Sequence, residues 1–318
     1  MRELHVVFGA GQVGVPLALL LASRGQEVRI VSRSGAGAGT PGVVAVRADV
    51  LDEAAAAAAA RGASVVYNCT NPPYSSRLWA EQLPRIADSL VGAAGKAGAR
   101  LVVLDNLYLL GRPRGRPLDE DSPVAPCSRK GEVRARVWRR LQEAHRNGEA
   151  RVVVGRASDF FGPRGVNTYF GERFWRRVLA GKSAQAVADP DTRHTWHYLP
   201  DVAAAIAALG AAPEAALGRA WMLPAGPAIT TRDLAGRLAA AAGQRPAVER
   251  VPRLLLSLMA VFVPLFREVL EMDYQWDEDF VVDDRRFRAA FGLAPTPLED
   301  AVRQTAAWAL DAWGGRSP

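Results

Sequence analysis

The sequence predicts an α/β protein built on a Rossmann-type, doubly wound parallel sheet, with a smaller C-terminal substrate-binding domain. A glycine-rich loop follows the first apolar run, short β-branched runs alternate with Ala/Leu-rich stretches through the first half, and this rhythm changes after Asp159. Six strands separated by helices favour an open sheet, because a closed α/β barrel would need further strand–helix units.

The expected elements follow from these runs. Strands are expected at residues 3–8, 27–32, 43–47, 64–68, 100–105 and 151–156, and helices from near Val13, Leu51, Trp79 and Lys130. The tail "PLEDAVRQTAAWALDAW" has the periodicity of an amphipathic closing helix. We expect a dinucleotide-binding domain over residues 1–160, with a later contribution near 194–225, and an interwoven substrate-binding domain over residues 161–318.

Composition narrows the classes of partner. The net charge is +7, but the arginines are scattered through predicted helices, without the basic run or interleaved aromatic residues of a nucleic-acid site. The two cysteines, Cys69 and Cys127, have no paired spacing and no nearby histidine, so neither a disulfide framework nor a metal site is indicated. We expect a cytoplasmic protein whose partner is a small-molecule substrate, with no nucleic acid and no membrane.

One later run is strongly apolar. The stretch "LLLSLMAVFVPLF", residues 254–266, is too short to span a bilayer. It predicts a buried or pocket-lining helix, with an interfacial membrane anchor as the alternative.

The motif "GAGQVG" lies directly after the first predicted strand and opens a helix. Gly9 permits a tight turn, Gly11 lets the backbone approach a pyrophosphate, and Gly14 lets the helix pack closely on the strand. Gln12 and Val13 lie inside the loop, at the helix N-terminus, where amide donors favour an anion. The spacing predicts dinucleotide binding, against the alternative of a purely structural turn.

The end of the second strand bears on cofactor choice. Ser32 and Arg33 stand where an NAD-selective site usually carries an acidic residue, and a guanidinium can pair with a 2′-phosphate. NADP(H) is therefore preferred over NAD(H), unless Arg33 is simply an exposed loop arginine. Asp49 and Val50 are placed to meet the adenine.

The exit of the fourth strand, "NCTNPPY", supplies the nicotinamide end of the expected site. Thr70 and Asn71 are expected beside that half of the cofactor, with Tyr74 farther out toward the substrate. The first half of the chain thus predicts a complete dinucleotide site.

These motifs, together with "LDNLYLLG", "SRKGEVRAR", "GRASDFFGP" and "HTWHYLPDVAAAI", resemble the extended short-chain dehydrogenase/reductase superfamily, in particular its atypical NAD(P)-dependent epimerase/dehydratase-like members. The resemblance spans nearly the whole chain. It implies a nicotinamide-dependent enzyme, and a possible homodimer paired through the helices near residues 79–93 and 130–143.

The same resemblance implies a catalytic Ser or Thr, a Tyr and a Lys. Their positions map to Asn106, Lys130 and Arg134, so all three are changed together. Arg134 could hold the ribose but cannot share a proton at neutral pH. Lys130 is a ribose or phosphate contact, a replacement acid or oxyanion clamp, or a surface lysine. Tyr108 is either a substitute phenol or a wall residue.

Downstream segments frame the substrate pocket by the same resemblance. Asp159 and Phe160 begin the loop after the sixth strand. His197 is either an acid or base in the pocket or a structural imidazole, and Asp201 is expected to cap the following helix.

Three functional hypotheses remain open from the sequence. The first is an NADP(H)-dependent oxidoreductase or epimerase-type enzyme on a small carbonyl or sugar-like substrate. The second is a non-catalytic cofactor-binding sensor or scaffold, and the third is a non-redox isomerase or cyclase on the same fold.

Overall fold

The first half of the chain alternates strand and helix as the residue pattern predicts. The computed structural model describes residues 3–315. In chain order, the elements of this half are β1 Leu4–Phe8, α1 Gly14–Ser23, β2 Glu27–Ser32, β3 Val43–Arg47, α2 Glu53–Ala60, β4 Val65–Asn68, α3 Ser76–Ala97, β5 Arg100–Asp105, α4 Arg129–Arg146 and β6 Arg151–Arg156.

The second half consists of shorter strands and further helices. They are β7 Asp159–Phe161, α5 Glu172–Leu179, β8 Ala184–Ala186, β9 Arg193–His194, β10 Trp196–Tyr198, α6 Leu199–Gly210, β11 Ala220–Met222, β12 Ile229–Thr230, α7 Thr231–Ala241, β13 Val248–Arg250, α8 Arg253–Phe262, α9 Pro264–Leu270, α10 Tyr274–Asp277, α11 Arg285–Phe291 and α12 Leu298–Trp313. Helix α12 confirms the predicted closing helix.

The central sheet has seven strands in the order β11-β6-β5-β4-β1-β2-β3, and every neighbouring pair is parallel. The fold is therefore the predicted doubly wound sheet. Its seventh strand, β11, comes from the late segment expected to contribute near residues 194–225. The strand order reverses between β1 and β4, which opens a ligand crevice at their carboxyl ends.

Capping residues explain why two helices begin a few residues away from their predicted starts. Helix α2 begins at Glu53 because the Asp52 carboxylate accepts a hydrogen bond from the amide of Ala55. Helix α3 begins at Ser76, ahead of the predicted Trp79, because Ser75 caps it. Such caps lie just outside the apolar pattern that marks a helix.

Three buried clusters hold the elements together. One lies between the sheet and α2, α3 and α4, a second lies between the opposite face and α1 and α6, and a third is formed mostly by residues after 160. The third cluster is rich in aromatic side chains, including Trp175, Trp196 and Phe280. The bounds of the two predicted domains stay a prediction.

Two sequence-based expectations are wrong. In helix α8 only Leu256 and Ala260 are buried, so most of the apolar run over residues 254–266 is exposed. Asp201 makes no capping bond; its carboxylate accepts from the amide and hydroxyl of Thr296, 2.8 and 2.6 Å away.

No helix within residues 3–315 combines the length and apolar character needed to cross a bilayer.

Candidate active site

The glycine loop between β1 and α1 is shaped to leave space at a helix N-terminus. A Cβ on Gly9, whose φ is +106°, would lie 2.6 Å from the carbonyl oxygen of Cys69, and one on Gly14 would lie 1.8 Å from the Gly9 carbonyl oxygen. At Gly11 a Cβ would meet nothing within 4 Å. Gly9 and Gly14 are thus required for packing, whereas Gly11 faces the open space that a pyrophosphate would fill.

The loop after β2 is basic. Arg33 is exposed, and the Nε of Arg47 donates to the Arg33 carbonyl oxygen at 3.1 Å, so two guanidinium groups flank this loop. The Ser32 hydroxyl donates to the Ala36 carbonyl oxygen. Asp49 accepts from the amide of Leu51 at 2.9 Å, which orders the turn containing Val50.

The residues that follow β4 contact helix α4 through a side-chain hydrogen bond. The Thr70 amide and hydroxyl both donate to the side-chain oxygen of Asn68, at 3.0 and 2.6 Å. The Asn71 side-chain oxygen accepts from Nη2 of Arg134 at 2.7 Å. Thr70, Asn71 and Arg134, all expected near the nicotinamide half of the cofactor, therefore lie together.

Arg134 belongs to a buried charge cluster with Asp105 and Arg156. Its Nη1 lies 3.2 Å from Asp105 Oδ1, and Arg156 Nε lies 3.6 Å from Asp105 Oδ2. Burial lowers the pKa of Arg156 and Asp105 opposes this effect. Two guanidinium groups share one carboxylate, so the cluster carries a net positive charge. Asp105 and Arg156 lie within the quoted stretches "LDNLYLLG" and "GRASDFFGP", but sequence reasoning assigned neither of them a role.

Lys130 is fully buried in an acidic clamp. Its Nζ bonds to Oε2 of Glu271 at 2.9 Å, to the main-chain oxygen of Glu268 at 3.1 Å and to the Glu268 carboxylate, and it lies 4.7 Å from the centre of the Tyr74 ring. Glu268 also accepts from the amide and hydroxyl of Ser76.

Both carboxylates of this clamp also satisfy helix N-termini. Glu271 accepts from the Lys130 amide in the first turn of α4, as Glu268 does from Ser76 in α3. Burial would raise the pKa of Glu268, but the bonds from Lys130 and Ser76 hold it below its ordinary value. Neither glutamate has a signal in the sequence.

Two phenols face each other beside the clamp. The hydroxyl groups of Tyr74 and Tyr108 are 3.4 Å apart, and the Trp79 ring stacks on Tyr108 with ring centres 5.9 Å apart. Burial raises the pKa of Tyr108 to about 12, with Asp159 adding to the rise. Asn106 accepts from the Tyr108 amide at 3.2 Å and so fixes the turn that carries the phenol.

Asp159 also contacts a buried histidine that sequence reasoning passed over. The Nε2 of His194 lies 2.8 Å from Asp159 Oδ2 and 3.0 Å from the Ser158 hydroxyl, while its Nδ1 bonds to the Gln275 carbonyl oxygen. The adjoining Phe160 is half-buried against the core under α1 and α6.

His197 is fully buried, and backbone groups occupy both of its ring nitrogens. Its Nδ1 accepts from the Ser158 amide at 3.1 Å and its Nε2 donates to the Leu223 carbonyl oxygen at 3.0 Å. Burial lowers its pKa to about 4, so the ring is neutral at pH 7. The expected pocket role of His197 stays a prediction.

A cleft of about 740 Å³ lies on the outer side of the Lys130 clamp. It is bounded by the start of α3, the loop before α4, the first turn of α4, and α9 with the residue that follows it. Its lining residues are Ser76, Pro126, Cys127, Ser128, Arg129, Glu132, Arg267, Glu268 and Glu271. Residues 3–315 contain no group of three or more His, Cys, Asp or Glu side chains placed to hold a metal ion.

Comparison with known families settles which family this fold and loop represent. The model of the NAD-dependent epimerase/dehydratase family matches residues 5–222, more than half of the chain. The chain belongs to this family. Membership makes it an NAD(P)-dependent enzyme of the short-chain dehydrogenase/reductase type, as the sequence motifs predicted.

Solved structures of the epimerase/dehydratase type share the complete fold. An epimerase from Methanothermobacter thermautotrophicus has a TM-score of 0.82 at 16% identity, covering 98% of this chain and 94% of that one. UDP-glucuronic acid 4-epimerase from Bacillus cereus, solved with NAD, has a TM-score of 0.79 at 15% identity, with 99% of each chain covered.

A dehydratase has the same fold. dTDP-glucose 4,6-dehydratase from Bacillus anthracis, also solved with NAD, has a TM-score of 0.79 at 15% identity, with 98% of each chain covered. No curated protein matches the sequence. At these identities the likeness concerns the fold.

The residues of this epimerase/dehydratase family member fit a nicotinamide dinucleotide. The open space beside Gly11 and the amide groups at the N-terminus of α1 suit the pyrophosphate. Thr70 and Asn71 follow β4, and Asn71 is hydrogen-bonded to Arg134 of α4, so these three residues lie at the nicotinamide end of the expected site. Asn106 and Lys130, at the positions that the family resemblance assigns to catalysis, are bonded to neighbouring protein groups, and the Tyr108 hydroxyl lies between that of Tyr74 and the charged Asp159 and Arg134.

Proposed function

We propose that this chain is an NADP(H)-dependent oxidoreductase or epimerase-type enzyme acting on a small carbonyl or sugar-like substrate, with Tyr108 as its proton donor. The observation that carries the proposal is the pair of facing phenols, Tyr74 and Tyr108, with hydroxyl oxygens 3.4 Å apart beside Asp159. With its pKa raised to about 12, Tyr108 keeps its proton at pH 7 and is available as a donor.

The proton step follows from this arrangement. When bound, the cofactor supplies or accepts hydride at the substrate carbon. Tyr108 then donates a hydrogen bond to the substrate oxygen and gives up its proton as negative charge develops there. The proton that Tyr108 loses is replaced from solvent, and the Tyr74 hydroxyl, 3.4 Å away, is placed to relay it by accepting one proton as it donates another. In an epimerisation the phenolate form of Tyr108 would take the proton of the substrate hydroxyl as hydride leaves the carbon, and the resulting phenol would give that proton back when hydride returns to the opposite face.

Lys130 and Arg134 receive other roles in this proposal. The Lys130 ammonium already has two carboxylates and a carbonyl oxygen as partners, so it is better suited to fixing the pocket wall than to donating a proton. The Arg134 guanidinium bridges Asn71 and Asp105, and we assign it to the cofactor ribose, as a fixed cation. Asn106 positions the turn of Tyr108.

Charge near the adenosine end supports NADP(H). The loop after β2 presents Arg33 and Arg47, and the strand itself ends in Ser32 where an acidic residue would select NAD. Two guanidinium groups would attract the 2′-phosphate and would gain nothing comparable from a free hydroxyl.

The free thiols of Cys69 and Cys127 agree with a reducing cytoplasm.

A sugar-like substrate is the favoured class. Neighbours with this fold include UDP-glucuronic acid 4-epimerase and dTDP-glucose 4,6-dehydratase. The tyrosine, asparagine and carboxylate groups around Tyr108 can accept from and donate to hydroxyls, and the buried ring of Trp79 stacks on Tyr108 and fixes the orientation of its ring.

The test is turnover of a panel of aldehydes, ketones and nucleotide sugars, followed both by loss of NADPH absorbance and by chromatography of the products. Tyr108→Phe should lower kcat about a hundredfold or more while NADPH binding is retained. Tyr198→Phe, which removes a phenol bonded to Gln304 outside the cluster, is the matched control and should keep its rate. A Tyr108→Phe enzyme as fast as the unmodified one would exclude the assigned proton donor.

A further inference from the structure

Helices α8 and α9 present a row of large apolar side chains to solvent. The most exposed are Phe262 at 84%, Leu254 at 74% and Val261 at 68%. We call the row the apolar ridge; it consists of Leu254, Leu255, Leu258, Val261, Phe262 and Leu265. Exposed apolar side chains in such a continuous group mark an interaction surface.

The ridge exists because α8 and α9 turn only a few of their side chains toward the interior. Glu268 and Glu271, on α9 and just after it, point to Lys130, whereas Leu265 on the same helix is exposed. In helix α8 only Leu256 and Ala260 are buried. A surface helix normally turns its apolar face to the core, but the core-facing stripe of α8 is narrow and leaves most of its large apolar side chains on the solvent side. The clamp on Lys130 holds α9 in that orientation.

The charged residues within the ridge segment itself are all basic, with Glu249 and Glu268 adjoining its two ends. Residues 250–267 include Arg250, Arg253 and Arg267 and no acidic residue. Arg253 pairs with Asp273, while Arg250 and Arg267 are exposed and form no ion pair within residues 3–315. The ridge is therefore an apolar surface flanked by free positive charge, which complements an anionic partner.

We propose that the apolar ridge docks on an anionic membrane surface, with Phe262 and Leu258 in the headgroup–acyl boundary and Arg250 and Arg267 on lipid phosphates. The side chains stand out from the helices, which suits a deformable lipid layer that closes around them. A second copy of the chain is a poorer occupant, because a symmetric contact would bring two sets of the same arginines together. This inference does not depend on the proposed function.

The experiment is co-sedimentation of the full chain with vesicles. Equal parts of phosphatidylglycerol and phosphatidylcholine should bind the protein, phosphatidylcholine alone should bind much less, and added salt should weaken binding by screening. The double variant Leu258→Ser/Phe262→Ser should lose about tenfold or more in partitioning. Leu310→Ser, on an exposed apolar residue of α12, is the matched control and should bind normally.

A further variant separates the charge from the apolar contribution. Arg250→Gln/Arg267→Gln should bind anionic vesicles more weakly and show a smaller dependence on salt. All variants should retain the circular dichroism spectrum and Tm of the unmodified chain, because the replaced side chains are exposed. Absence of sedimentation with either vesicle would overturn the proposal. So would a doubled mass in light scattering that the Leu258→Ser/Phe262→Ser change abolishes, since the occupant would then be a second copy.

Discussion

The Nζ of Lys130 lies 2.9 Å from Oε2 of Glu271, which is 141 residues further along the chain. This contact, together with that to Glu268, ties helix α9 to the start of α4 at the edge of the candidate active site. A fully buried ammonium is tolerated here because two carboxylates and a carbonyl oxygen surround it.

Removing both carboxylates should therefore destabilise the fold. In Glu268→Gln/Glu271→Gln the Lys130 ammonium stays buried without a counter-charge, and the free energy of unfolding should fall by about 3 kcal/mol in urea titrations. Asp191→Asn, which breaks the exposed pair with Arg232, is the control and should leave the unfolding midpoint unchanged. Equal midpoints for both variants would show that the clamp is not a stabilising contact.

Substitutions of Gly11 and Gly14 should have different effects, one on cofactor affinity and the other on the stability of the fold. Gly11→Ala places its methyl group in open space, so the Tm should stay constant while the affinity for NADPH falls about tenfold or more. Gly14→Ala drives a methyl group into the Gly9 carbonyl and should cost about 2 kcal/mol of stability or more. Thermal melts and fluorescence titrations check the pair; a Gly11→Ala protein with normal affinity would speak against a pyrophosphate at this loop.

Stability should depend on pH through His197. Its pKa is lowered from 6.5 to about 4 in the folded chain. Between these two pH values the unfolded chain binds a proton at this histidine and the folded chain does not. This contribution to the free energy of unfolding is complete above pH 6.5 and is lost as the pH falls through the folded pKa, a decrease of about 3 kcal/mol.

Ring resonances of His197 in NMR titrations give the value directly, and urea unfolding of His197→Gln should show a shallower pH slope than the unmodified chain. A His197 resonance that titrates near pH 6.5 would contradict this account.

The fold could be predicted from the sequence largely because its signals are local. The β-branched runs gave the bounds of the strands at residues 27–32, 43–47, 100–105 and 151–156 as the structure has them. Helix starts were displaced where a capping residue such as Ser75 lies outside the apolar pattern. The apolar run over residues 254–266 failed as a guide, because composition does not reveal which face of a helix packs inward.

The candidate site divides in the same way. Gly9, Gly11 and Gly14 are readable because one short loop contains all the residues that a pyrophosphate cradle needs. The partners of Lys130 are not, because Glu268 and Glu271 reach it only through the folded chain. Asp105 lies within a strand, and nothing in that strand indicates that it balances two arginines.

The measurement that tests the central claim most directly is a calorimetric titration of the purified protein with NADPH and, in parallel, with NADH. We expect NADPH to bind more tightly, and Arg33→Ala to weaken NADPH binding about tenfold while leaving NADH binding unchanged, because only the 2′-phosphate contacts the guanidinium. Binding of neither dinucleotide would contradict the account of a nicotinamide-dependent enzyme, and equal affinities unaffected by Arg33→Ala would contradict its NADP(H) preference.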